Sequence, residues 1–133
     1  MTMENLCQRY LAALNNGNLE EVLALFTPDA VVESPLYGRQ AASVFYAALF
    51  ADTRRSVTTL SNIFVPVNAA SSLALHFHYT WTLQSGKQVQ FECVDVFELA
   101  PGGDKFTRLK IIYDTAPLRA DFDASKAASL LQV

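Results

Sequence analysis

Residues 73–99, the stretch that decides the fold, are LALHFHYTWTLQSGKQVQFECVDVFEL. Apolar and polar side chains alternate through residues 73–83 and again through residues 88–99, and a period of two is the pattern of a β-strand. The two segments are separated by Ser85-Gly86-Lys87, which is a short turn sequence. They are therefore predicted to be long strands that pair as an antiparallel hairpin.

Two more strand-like segments lie on either side, at residues 57–67 and 106–114. The links to the central hairpin, residues 68–71 and 100–104, are short and contain mainly small, Gly and Pro residues. Short links between long strands are typical of antiparallel neighbours. The four segments together predict an antiparallel meander.

The first part of the chain has helical periodicity instead. Apolar residues recur at intervals of three and four in residues 5–14, 19–26 and 40–50, which predicts three amphipathic helices. A short β-branched stretch at residues 30–33 is predicted to be a strand. A short C-terminal helix is predicted over residues 121–131.

Helices that precede a run of strands predict the α+β fold class. A long, curved antiparallel sheet needs its concave face covered, and the three N-terminal helices are sufficient to cover it. Where that cover is incomplete, an internal pocket remains. No linker or internal repeat divides the chain, so residues 1–133 are predicted to form one domain.

Composition excludes several classes of function. With 17% charged residues and a net charge of −3, the chain lacks the basic surface of a nucleic-acid binder. It has neither an apolar run long enough to span a membrane nor an N-terminal signal peptide, so a cytoplasmic protein is expected. Cys7 and Cys93 are expected to be buried free thiols. No metal-ligand spacing or Gly-rich phosphate loop is present, and no metal or cofactor is expected.

Four parts of the chain carry a family likeness, namely residues 9–20, residues 26–35, residues 38–46, and residues 94–97 followed by 112–114. Taken in order, they resemble the nuclear transport factor 2-like superfamily, which includes ketosteroid isomerases and SnoaL-like polyketide cyclases. The resemblance implies a cone-shaped barrel of curved sheet wrapped on three helices, a deep apolar pocket and, commonly, a homodimer. This superfamily contains isomerases, cyclases, hydrolases, dehydratases and proteins without chemistry.

The resemblance places Tyr10 and Asp95 where the isomerases hold the two hydrogen-bond donors that stabilise an enolate oxygen. Strand alternation supports the second assignment, because Asp95 shares a face with Cys93 and Phe97. A carboxyl group between such neighbours loses solvation, which favours its neutral form, and a neutral carboxyl can donate a hydrogen bond. If the face assignment is reversed, Asp95 lies in solvent. Tyr10 has the alternative of an ordinary core position.

The catalytic base is where the sequence departs from the isomerase pattern, because Ser34 occupies the position of the family's aspartate. A serine hydroxyl is no base at neutral pH without a partner. Neighbouring Glu33 would point to the opposite face of a strand. His78 and Asp114 are the remaining candidates for proton transfer. The resemblance to SnoaL-like cyclases suggests Asp114, whose alternatives are a strand-end cap or an ion pair with Arg119.

The role of His78 depends on which face of residues 73–83 lines the pocket. If the polar face points inward, His78 could meet Asp95 on the neighbouring strand and act as base. The aromatic face, which contains Tyr79 and Trp81, would then be free to form a dimer interface. If the aromatic face points inward, His78 is an ordinary surface residue. Both arrangements stay open at this point.

The sequence supports two main functional hypotheses and a weaker third. The first is a cofactor-independent isomerase, cyclase or dehydratase that transfers protons on a small apolar carbonyl compound. The second is a non-catalytic module that binds an apolar ligand or a partner chain, and the third is a purely structural dimer. Residues expected to contact a bound molecule are Ser34, Phe45, Phe91, Phe97 and Tyr113.

Overall fold

The computed structural model describes residues 2–68 and 70–131, which form helices on one side and a six-stranded sheet on the other. In chain order the elements are α1 (Met3–Asn16), α2 (Leu19–Leu23), β1 (Phe26–Ser34), β2 (Gly38–Ala41), α3 (Ala42–Ala51), β3 (Thr53–Phe64), β4 (Ser72–Leu83), β5 (Gln88–Leu99), β6 (Phe106–Ile112) and α4 (Arg119–Leu131).

Helix α1 begins and ends at clear capping residues. The Thr2 hydroxyl accepts a hydrogen bond from the backbone N–H of Asn5 at 3.1 Å, which satisfies one free donor of the first turn. Gly17 ends the helix in the left-handed conformation, with φ at 60°, where a side chain would be strained. The buried face of α1 includes Tyr10 and Leu14 and faces the sheet.

The sheet is curved and unclosed, with the strand order β2-β1-β6-β5-β4-β3. Strands β3 to β6 pair antiparallel in sequence order, as the meander prediction required. The α+β class with three N-terminal helices is therefore confirmed. Strand β1 pairs with β6 in parallel, a long-range contact that no local pattern indicated.

Strand β2 was not predicted, because the sequence indicated a helix from residue 40 onward. Residues 38–41 instead pair with the end of β1, where Ser34 lies opposite Gly38 and Val31 opposite Ala41. Helix α3 consequently begins at Ala42. A four-residue edge strand is too short to show a period of two, so its formation depends on β1 being available as a partner.

The structure decides which face of β4 lies inward. Leu75, Phe77, Tyr79 and Trp81 are buried, whereas His76 and His78 on the other face are half-buried. Fully burying one large apolar side chain contributes about 1.5–3 kcal/mol, so four of them outweigh any local preference of two histidines. The aromatic face is therefore core and is not available as a dimer interface.

Within the described residues, no helix combines the length and the apolar character needed to cross a membrane.

Candidate functional site

A small cavity lies between the inner face of the sheet and helices α1 and α3. Its volume is about 40 Å³. Since one water molecule needs roughly 10–15 Å³ measured in this way, the cavity has room for about three waters or a ligand of a few atoms. Its walls are largely aromatic, with side chains that include Tyr37, Phe77, Tyr79, Trp81, Phe91 and Tyr113.

Asp95 supplies the only carboxyl group among the described residues that line this cavity. It lies in the middle of β5 and is 2% exposed. The Cys93 thiol, two residues earlier on the same face, donates a hydrogen bond to Asp95 Oδ1 at 3.1 Å. Burial raises the pKa of Asp95 from 3.8 to about 7, although hydrogen bonds from Cys93 and Tyr10 act in the opposite direction. Near neutral pH the group can therefore both accept and donate a proton.

Tyr10 of α1 faces the same cavity and belongs to a pair of phenols. Its hydroxyl lies 2.7 Å from the hydroxyl of Tyr46 on α3. Burial is the largest cause that raises the pKa of both tyrosines well above the ordinary value, and the nearby Asp95 charge acts in the same direction. Both phenols stay protonated, so this pair can donate one hydrogen bond beyond the one that it shares, and Tyr10 gives that bond to Asp95.

Tyr46 was not singled out in the sequence, although a signal was present. Helical spacing places it on one face with Ala42 and Leu49, which are both buried. A tyrosine in such a stripe needs a hydrogen-bond partner, and the partner is Tyr10. The pairing joins α1 to α3 and depends on how the two helices pack, so local sequence does not reveal it.

Ser34 lines the cavity as expected, but its hydroxyl is engaged in a turn. Ser34 Oγ accepts hydrogen bonds from the backbone N–H groups of Leu36 and Tyr37, each at 3.2 Å. The carboxylate of Glu33 points elsewhere and pairs with Arg108 at 2.8 Å and Arg39 at 3.3 Å. Neither residue brings a base to the position of the isomerase aspartate.

Residues 7–109 match the family model of the SnoaL-like domain. The match covers most of the chain. This chain belongs to the SnoaL-like family.

Solved structures similar to this SnoaL-like chain share its fold at low sequence identity. PrhC from Penicillium brasilianum is 15% identical, with a TM-score of 0.77 over 96% of this chain and 89% of that one. A ketosteroid isomerase-like protein from Catenulispora acidiphila, in complex with trimethylamine, is 14% identical, with a TM-score of 0.76 over 90% and 92%. SalBIII, an epoxide hydrolase/cyclase-like enzyme with a role in pyran ring formation in salinomycin, is 19% identical, with a TM-score of 0.69 over 84% and 89%.

The SnoaL-like chain therefore has a cavity inside a fold that it shares with NTF2-like and ketosteroid isomerase-like proteins. At such identities the likeness to the solved structures concerns the fold alone.

The structure places His78 outside the pocket, which corrects its proposed role as base. His78 lies opposite Glu92 on β5 and Thr59 on β3, on the outer face of the sheet. The residue opposite Asp95 is Leu75, on the inner face. Burial of the aromatic side chains selected that face, so His78 and Asp95 point to opposite sides of the sheet.

Asp114 likewise lies away from the cavity of the SnoaL-like chain. It is exposed just after β6, and its Oδ1 accepts a hydrogen bond from the backbone N–H of Ala116 at 3.0 Å. This is the strand-end capping arrangement, which was the alternative to catalysis. Tyr113, one residue earlier, points inward and lines the cavity.

Among the predicted ligand contacts, Phe45 and Phe91 line the cavity but Phe97 does not. Phe97 is fully buried and stacks on Phe106 with ring centroids 3.9 Å apart. Its ring also packs against Tyr10 at 5.1 Å. Alternation placed Phe97 on the correct face of β5, but this part of the inner face is filled by core side chains.

No group of three or more His, Cys, Asp or Glu side chains is arranged to hold a metal ion within residues 2–68 and 70–131.

Proposed function

We propose that this SnoaL-like protein catalyses cofactor-independent proton transfer on a small carbonyl compound, with Asp95 as the group that moves the proton. The observation that carries this proposal is a single carboxyl group, 2% exposed, in an aromatic cavity beside Tyr10. Its pKa of about 7 suits an acid–base catalyst at neutral pH. The reaction class is isomerisation, cyclisation or dehydration.

In the proposed reaction, ionised Asp95 removes a proton from the carbon next to the carbonyl group. The electron pair of the broken C–H bond moves to the carbonyl oxygen, which becomes an enolate oxygen. As Asp95 takes the proton and becomes neutral, Tyr10 turns its hydrogen bond from the Asp95 carboxyl to that oxygen, and Tyr46 holds the Tyr10 hydroxyl at 2.7 Å. Protonated Asp95 then returns the proton to another atom of the substrate. Asp95 thus acts as the general base, which is the role of the aspartate that Ser34 replaces.

Exchange of α-protons in D₂O tests this proposal without knowledge of the natural substrate. With acetone or butanone as probe, the wild-type protein is expected to catalyse exchange that NMR follows, with a rate that rises as the pH passes about 7 and Asp95 ionises. Asp95→Asn should lower the rate by roughly 10²–10⁴-fold, because general acid–base catalysis contributes that much. Tyr10→Phe should lower it by roughly 10²-fold or more.

Asp114→Asn is the matched control, since it removes an exposed carboxylate and should leave exchange unchanged. If Asp95→Asn retained the wild-type rate, Asp95 would be removed from the mechanism.

A non-catalytic binding pocket is the second candidate function. It is favoured by Ser34, because a serine at the isomerase base position supplies no carboxylate and its Oγ is already engaged in a turn. The ligand would be a small apolar molecule or a small amine such as the trimethylamine bound by the Catenulispora protein. Binding of such probes in calorimetry, together with no exchange above background, would support this candidate over catalysis.

We also propose a homodimer, formed through the outer face of the sheet. Apolar side chains on this face include Phe64 and Ile112, which are 54% and 48% exposed. Val94 and Val96 lie between them on β5, so the apolar residues cross neighbouring strands.

Ile112→Glu is expected to convert this dimer to a monomer in sedimentation velocity, because it places a charge on the apolar face. Val44→Glu makes the same change at a 53% exposed position on α3 and should leave the dimer intact. If Ile112→Glu had the same sedimentation coefficient as the wild-type protein, the interface would have to lie elsewhere.

A further inference from the structure

The cavity is too small for most carbonyl compounds, so part of its wall must move if larger ligands enter. Strands β4, β5 and β6 form one wall and are joined by continuous backbone pairing. Helices α1 and α3 form another and are joined through the buried Tyr10–Tyr46 pair. Moving either wall would break core packing. The remaining part contains Tyr37, in the turn between β1 and β2, and this residue is covered by α4.

Helix α4 lies over the cavity through one aromatic residue. The ring of Phe122 packs against Tyr37 and Trp81, with centroids 5.6 Å and 5.7 Å apart. Both of these residues line the cavity. Phe122 itself is 7% exposed, so it is the side chain that seals the outer side of this wall.

Three polar contacts hold α4 in this position, and in one of them the Arg119 guanidinium donates a hydrogen bond to the Pro35 carbonyl oxygen at 3.3 Å. Lys126 Nζ forms an ion pair with Asp52 at 3.2 Å, and the same Asp52 oxygen accepts a hydrogen bond from the Tyr37 hydroxyl at 2.6 Å. The Ser125 hydroxyl accepts a hydrogen bond from the backbone N–H of Ser85 at 3.1 Å. Asp52 therefore connects the helix directly to a residue of the cavity wall.

The attachment of α4 is weak compared with that of the other walls. Among the side chains that the structure describes in residues 115–130, few are buried, namely Leu118, Phe122 and Ser125. The ion pair is half-exposed on the lysine side, and such pairs contribute little. Segment 113–118 joins α4 to the sheet without strand pairing, so it is a natural hinge. Local opening favours elements with few buried contacts.

We propose that α4 is a lid on the cavity, which swings about residues 113–118, with Phe122 as its seal and the Tyr37–Asp52–Lys126 contacts as its latch. Such a lid would regulate access to the site. The inference rests on the proposed function in one respect, which is that this cavity is the ligand site. Opening uncovers the outer side of Tyr37 and Trp81, which lets Tyr37 move outward and enlarges the space beside Asp95 for a ligand. Closing removes the ligand from water before proton transfer.

The two native cysteines allow the lid to be tested without any ligand. Cys93 lines the cavity, whereas Cys7 is buried in the core and does not line it. Methyl methanethiolsulfonate is a small thiol reagent, and peptide mass spectrometry measures its reaction with each cysteine separately. Labelling of Cys93 reports lid opening, and labelling of Cys7 reports opening of the whole core.

Phe122→Ala and Lys126→Ala are expected to accelerate Cys93 labelling at pH 8, by at least tenfold for Phe122→Ala, with the Cys7 rate unchanged. Lys110→Ala removes a lysine on the outer face of the sheet and serves as the matched control for Lys126→Ala. Unchanged Cys93 labelling in Phe122→Ala would overturn the proposal. An equal rise in the labelling rate of Cys7 would also overturn the proposal, because the helix would then open only together with the whole core.

A second variant keeps the test valid if Phe122→Ala does not fold. Ser85→Cys combined with Ser125→Cys places a thiol on each of two chain segments that now meet where the Ser85 backbone N–H donates to the Ser125 hydroxyl at 3.1 Å. Oxidation of this pair before labelling should slow the Cys93 reaction at least tenfold relative to the reduced form. A rate that stays the same after oxidation would contradict the lid. Because none of these readouts requires turnover, failure of the proposed catalysis would leave them unaffected.

Discussion

Asp95→Asn is expected to be more stable than the wild-type protein at pH 8, by about 4 kcal/mol, and nearly equal to it at pH 4. Burial raises the pKa of Asp95 from 3.8 to about 7, so the folded protein binds a proton between these values that the unfolded chain releases. Each pKa unit corresponds to about 1.4 kcal/mol. The neutral carboxyl is tolerated at low pH, and the ionised one destabilises the fold progressively as the pH rises from about 4 to 7.

Urea denaturation of both proteins between pH 4 and pH 8 measures this difference. Other carboxylates titrate in the same range, but they cancel when the wild type and the variant are compared at each pH. Asp114→Asn is the control, since it removes an exposed carboxylate and should show no such pH-dependent gain. A stability difference between Asp95→Asn and wild type that is constant over this range would mean that Asp95 keeps an ordinary pKa in the folded protein.

Phe97→Ala is expected to destabilise the protein by about 3–5 kcal/mol, as deletions of fully buried phenylalanine rings do. Phe97 is 0% exposed and stacks on Phe106 at 3.9 Å. Phe91→Ala is the informative comparison, because that ring borders the cavity and already lacks neighbours on one side. It should therefore cost less than Phe97→Ala. The reverse order in chemical denaturation would show that Phe97 faces the open space.

These two predictions concern Asp95 and Phe97, which are neighbours on the same face of β5. The sequence predicted that both would line the pocket. Period-two alternation correctly put Phe91, Asp95 and Phe97 on one side of the strand. Alternation along one strand does not show which other elements pack against each side chain. Helix α1 and strand β6 bring Tyr10 and Phe106 against Phe97, whereas the space beside Asp95 stays partly empty.

The sequence showed that Ser34 stands in place of the isomerase aspartate. It did not show which residue would act as the base instead. The residue types alone predicted His78 or Asp114 as the replacement base. The structure excludes both from the cavity and leaves Asp95 as the acidic group there. The raised pKa that makes Asp95 suitable for proton transfer comes from burial by several elements distant in sequence.

The sequence by itself determined the α+β class and the order of most elements, because these depend on side-chain periodicity within ten or twenty residues. The family resemblance came from its motifs. Strand β5, predicted over residues 88–99, is observed as Gln88–Leu99. Only the tertiary structure decided the inward face of β4, the parallel pairing of β1 with β6, the Tyr10–Tyr46 pair and the position of α4 over the cavity. Each of these is a contact between distant segments, and its free energy comes from side chains that meet only after the sheet has curved around the helices.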